Sequence, residues 1–135
     1  MNVELDPMQD LAISPTGTTP AIHFSARTGV LEIRGESYPE NAFAFFEPPI
    51  TWLRRFMSET DTAIRFDVEV AYMNTSSIRA MVDMLDLLEQ AHLFGRDVAV
   101  RWLYDEENER ALDMGEEFKE DLTLPFEIVT LSSQE

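Results

Sequence analysis

The clearest pattern along the chain is an alternation from Ala63 to Tyr72. Ile64, Phe66, Val68 and Val70 fall on one side, and Arg65, Asp67 and Glu69 on the other. Period two over this length predicts a strand with one buried face. Two shorter apolar runs precede it, Ala21–Phe24 and Val30–Arg34. The segment 25–29 between them ends in Gly29, which predicts a hairpin. A helix is predicted over about 42–58. Pro48 and Pro49 lie inside it, so a short first turn, a break near Pro48 and a second piece through Trp52 and Phe56 are expected.

After the alternating strand comes Asn74-Thr75-Ser76-Ser77 and then a helix to about Leu93. Its polar stripe is narrow: Arg79, Asp83, Asp86 and Gln90. Ile78, Met81, Val82, Leu85 and Leu88 form the apolar face, and Gly95 ends the helix. The line Ala80, Met84, Leu87 has two readings, either packing under a neighbouring helix or extending an exposed face. Residues 97–104 read as a strand. Asp105-Glu106-Glu107-Asn108 reads as an acidic helix start favoured by the helix dipole. That helix runs to about Asp121, and 126–131 close as a strand.

The order is β-β-α-β-α-β-α-β. It predicts a single α/β domain with one mixed sheet of about five strands packed with three main helices, and right-handed crossovers between parallel neighbours. Residues 1–18 are rich in Asp, Pro, Thr and Gly and are expected to form a flexible arm; the domain is expected over 19–135. A chain of 135 residues with two Trp and nine Phe can bury a real core without staples. It has no Cys, which excludes disulfides and thiolate metal sites. No signal-peptide pattern or membrane-length apolar run is present, so the expectation is a soluble cytoplasmic protein.

Charge narrows the function. Against 26 acidic residues stand 10 basic ones, for a formal charge of -16. Phosphate backbones and anionic membranes are repelled by most of such a surface, so neither nucleic acid nor direct membrane insertion is expected. His23 and His92 have no neighbours at metal-ligand spacing, and neither a phosphate-cradling Gly loop nor a nucleophile elbow is present. No catalytic residue, metal or cofactor is expected. Acidic pairs such as Asp105-Glu106 and Glu116-Glu117 read as solvated helix faces.

The remaining feature is the cluster Asn74-Thr75-Ser76-Ser77. One of the four must cap the helix that follows. Three adjacent hydroxyls exceed what a cap requires, and unpaired first-turn N–H groups also suit a phosphate. Arg79, one turn on, could reach that phosphate. Residue chemistry alone does not choose among the hydroxyls.

The segment Gly35-Glu36-Ser37-Tyr38-Pro39-Glu40-Asn41 resembles the SiaC family of bacterial regulatory phosphoproteins. So do residues 72–81 with the Asn-Thr-Ser-Ser cluster, 101–105 through 116–118, and Leu124-Pro125-Phe126. The resemblance spans about 19–131. It implies a fold similar to STAS-type anti-sigma-factor antagonists and phosphorylation on Thr75. It also implies three partners: a diguanylate cyclase activated by the unphosphorylated form, a cognate serine/threonine kinase and a PPM-type phosphatase. The output would be cyclic-di-GMP signalling in biofilm formation or aggregation. Asn74, Ser76, Ser77, Arg79, Tyr38, Pro39, Glu40 and Asn41 are then expected in the switch and docking region. The alternative is a STAS-like adaptor of a partner-switching pathway, with no cyclase partner and a cluster that is only a cap.

Overall fold

The computed structural model describes residues 8–131. Nine elements follow in order: β1 (Leu11–Ile13), β2 (Ala21–Phe24), β3 (Val30–Ser37), α1 (Ala42–Glu59), β4 (Ile64–Met73), α2 (Thr75–Leu93), β5 (Val98–Asp105), α3 (Glu109–Glu120) and β6 (Phe126–Leu131). The strands form one six-stranded sheet in sequence order. The first two pairings are antiparallel, and β3 to β6 are parallel.

Each helix links adjacent parallel strands, and each step moves the same way across the sheet. Right-handed crossovers then place all three helices on one face. The packing agrees: Leu31, Ile33, Phe66, Val68, Val100 and Trp102 share one core with Phe46 and Phe56 of α1, Met81 and Leu88 of α2, and Phe118 of α3. The other face carries His23, Arg34, Arg65 and Glu127, all exposed.

Three expectations change. Within 8–18 the expected flexible arm contains a sixth strand, β1, and is tied down. Gln9 C=O accepts from Trp52 Nε1 at 2.8 Å, and Asp10 Oδ1 accepts from the Ala26 N–H at 2.9 Å. Residues 1–7 of that arm lie outside the described residues. Second, α1 runs unbroken through Pro48 and Pro49. Pro49 is buried in phase with Phe46, Trp52, Leu53 and Phe56, so its ring packs as part of the apolar face. That burial offsets the two missing N–H donors, a case of tertiary packing overriding local preference. Third, α3 starts at Glu109, not near Asp105. Asn108 caps it, accepting from the Ala111 N–H at 3.1 Å.

The alternation in β4 is real but incomplete as a guide to burial. Asp67 lies on the charged side and is only 1% exposed. Arg101 Nε and Nη2 reach its two oxygens at 3.1 and 3.2 Å, and Arg65 reaches Oδ2 from the same strand. Asp67 in turn raises Arg101 above its ordinary value, chiefly by accepting its hydrogen bonds. Further along, the β3–β4 register slips: Gly35 pairs with Val70, but Glu36 pairs with Tyr72. The extra residue, Ala71, reverses the phase of β4. Met73 then points into the core, and Tyr72 is left exposed beside the start of α2.

Candidate partner-binding site and phosphoacceptor turn

The end of β3, the start of α1 and the start of α2 meet at one end of the sheet. Asn41 caps α1, its Oδ1 accepting from the Ala44 N–H at 3.0 Å. Asn74 caps α2 in the same way through the Ser77 N–H at 2.9 Å. Its amide also donates to the Pro39 carbonyl at 3.4 Å, and its N–H donates to the Ser37 carbonyl at 2.9 Å. The turn at the start of α2 is therefore fastened to the end of β3 and to the β3–α1 connection.

These bonds sort the four cluster residues. The cap is Asn74. Ser77 is fully buried, and its hydroxyl lies 2.7 Å from that of buried Ser37. Thr75 and Ser76 are exposed and carry neither duty. Ser77 therefore does not join the exposed part of the expected switch region.

Thr75 and Ser76 sit on the rim of a groove of about 690 Å³ between α1 and α2. Its apolar lining comes from Ala42, Phe43, Phe46, Ile50 and Ala80, and its charged lining from Glu40, Glu47, Arg54, Arg79 and Asp83. Phe43 is 82% exposed. Arg79 is also exposed and holds Asp83 only loosely, at 3.6 Å. Tyr38 and Tyr72 stack edge-on, ring centroids 5.8 Å apart, and both are partly exposed. Tyr38 is fixed from above, donating its hydroxyl hydrogen to the Gly17 carbonyl at 2.9 Å.

Most of the expected residues thus come together: Glu40, Asn41, Thr75, Ser76 and Arg79 line the groove, while Tyr38 and Pro39 belong to the connection beside it. Met84 is fully buried, Ala80 nearly so and Leu87 half-buried against the core, so the line Ala80, Met84, Leu87 does not extend an exposed face, and of the three only Ala80 reaches the groove. Phe43, Tyr72 and Ser37 were missed. Phe43 offered a signal, since it is out of phase with the buried positions 42, 46, 49, 53 and 56 of its helix. Tyr72 and Ser37 depend on the bulge and on a contact between distant segments.

The comparison with known proteins decides the family. Residues 13–131 match the SiaC family regulatory phosphoprotein. The chain belongs to the SiaC family. It is 47% identical over 121 residues to an uncharacterized protein of Pseudomonas aeruginosa (strain UCBPP-PA14), covering 90% of this chain and 96% of that one. The crystal structure of apo-SiaC from Pseudomonas aeruginosa superposes with a TM-score of 0.87 at 45% identity, over 90% of this chain and 99% of that one. SiaC in its complex with the diguanylate cyclase SiaD, of which it is the activator, gives 0.88 at 46% identity, over 90% of this chain and all of that one. The α/β fold with a mixed sheet and three helices is the family's, with six strands where five were expected. Among the described residues no helix is long and apolar enough to cross a membrane.

Proposed function

We propose that this chain is a non-enzymatic cytoplasmic regulator whose unphosphorylated form binds and activates a diguanylate cyclase, and that phosphate on Thr75 ends the contact. A cognate serine/threonine kinase and a PPM-type phosphatase set its state, and the output is cyclic-di-GMP-controlled biofilm formation or aggregation. One observation carries the reading: Thr75 stands exposed on the rim of an apolar groove, in a chain whose relative SiaC forms a complex with a diguanylate cyclase. The capping role of the cluster falls to Asn74, which leaves the Thr75 hydroxyl free for another use. This favours the switch over the adaptor reading.

The physical basis is local. The groove already carries Glu40, Glu47 and Asp83 against Arg54 and Arg79. A phosphate adds about 1.5 to 2 further negative charges at its rim, taking the local imbalance from a single negative charge to nearly three. A docked partner would have to bury that charge or leave its own apolar surface wet, at a cost of order several kcal/mol. A micromolar complex rests on about 8 kcal/mol, so such a loss removes binding at cellular concentrations. The test compares Thr75→Ala with Thr75→Glu against the purified cyclase, by titration and by cyclic-di-GMP formation. The Ala variant binds and activates, and the Glu variant does neither. Equal behaviour of the two, with both folded, rejects Thr75 as the switch.

A further inference from the structure

Thr75, Ser76 and Ser77 have similar local chemistry, yet the structure treats Ser77 differently. Phosphotransfer from ATP needs the acceptor oxygen in line with the γ-phosphorus. A new O–P bond forms, the bond to the ADP oxygen breaks, and the hydroxyl proton passes to a carboxylate base of the kinase. A hydroxyl can do this only where the kinase reaches it. Ser77 is buried, and its Oγ is 2.7 Å from Ser37 Oγ. Ser37 is buried too, at the last position of β3. The same residue accepts the Asn74 N–H on its carbonyl at 2.9 Å. One residue of β3 thus holds the first turn of α2 through both side chain and main chain, on either side of Thr75.

We propose that Ser37 is a specificity-determining residue for phosphorylation of this turn: it withholds Ser77 from the kinase and holds Thr75 outward in a fixed turn. The proposal rests on the phosphorylation switch argued above. Ser37 touches none of the reacting atoms and acts through Ser77. Removing its hydroxyl leaves Ser77 buried without a partner, which favours an opened turn in which Ser77 meets solvent. The population of that opened turn rises about tenfold, the usual consequence of orphaning one buried hydroxyl. Removing both hydroxyls leaves no orphan and restores the closed turn.

The experiment uses the full chain as wild type, Ser37→Ala, and Ser37→Ala with Ser77→Ala. Amide hydrogen exchange is read at Ser77 and Ile78, and phosphosites are mapped after treatment with the cognate kinase and ATP. The expected wild-type result is phosphate on Thr75 and none on Ser77. Ser37→Ala exchanges about tenfold faster at these amides and acquires phosphate on Ser77, and the double variant returns to slow exchange. Unchanged exchange in Ser37→Ala overturns the latch. Faster exchange with Ser77 still unmodified overturns the role in selectivity. If wild type takes no phosphate on Thr75, the switch reading fails and the selectivity role falls with it, while the exchange rates still report separately whether the latch exists.

Discussion

Replacing Phe43 by Ala separates docking from folding. Phe43 is 82% exposed. A Phe side chain presents about 200 Å² when fully accessible, so some 160 Å² of it is wet in the free protein. Folding therefore gains little from it, and truncation lowers stability by no more than about 1 kcal/mol. A chain of this length loses about 3–4 °C in Tm per kcal/mol, so the melt moves by at most that much. Binding is different. At about 25 cal/mol per Å², covering all 160 Å² contributes roughly 4 kcal/mol, and covering half contributes roughly 2. The smaller figure is a loss of about thirtyfold in affinity. Titration calorimetry against the cyclase, beside a thermal melt by circular dichroism, reads both quantities on one preparation. A Kd within threefold of wild type refutes the placement of Phe43 in the docking face. A fall in Tm of roughly 8 °C or more refutes the claim that Phe43 is idle in the fold.

Other consequences follow from the packing. Gly115→Ala would bring a Cβ to 2.5 Å from Trp102 Cδ1, and that indole is held by its Nε1–H bond to the Ala111 carbonyl at 2.8 Å. The overpacking costs about 1–3 kcal/mol and outweighs the helix-propensity gain, so Tm falls by several degrees; an unchanged melt contradicts the close packing of α3 on β5. Asp67→Asn removes the charge that Arg65 and Arg101 share and lowers stability by about 1–3 kcal/mol in urea titration, the partial exposure of both arginines keeping it below the loss for a fully buried pair. Glu89 is held below its ordinary carboxyl value of 4.5 first by the Thr123 hydroxyl, with backbone N–H groups of Thr123 and Leu124 assisting. Its contribution is therefore present above pH 4.5 and lost as pH falls through the lower folded value, and Glu89→Gln flattens the acid limb of a stability-versus-pH curve. A limb of unaltered slope would show that this carboxylate is not coupled to folding.

The element order was legible because it rests on periodicity. The run 63–72 reads as a strand and the stripe Arg79, Asp83, Asp86, Gln90 as the wet side of a helix, and all four of those positions are exposed. What escaped was set by neighbours distant in the chain. Asp67 reads as solvated until β5 places Arg101 opposite it. Pro48 and Pro49 read as a break because only the assembled core shows that the Pro49 ring has somewhere to pack. β1 was invisible because three residues carry too little pattern, and it exists by pairing with β2. At the site, a helix start at Asn74-Thr75-Ser76-Ser77 followed from residue type. The division of labour within it did not, because it depends on Ser37, forty positions away.

In the proposed switch, the cyclase senses a phosphate on Thr75. The most direct test is one binding titration made twice on the same preparation, before and after kinase treatment, with intact mass and phosphosite mapping on each sample. The expected result is a single phosphate, on Thr75, and a loss of cyclase affinity of about a hundredfold or more, the equivalent of burying one uncompensated charge. Phosphate on Thr75 with the two titrations superimposed contradicts the switch.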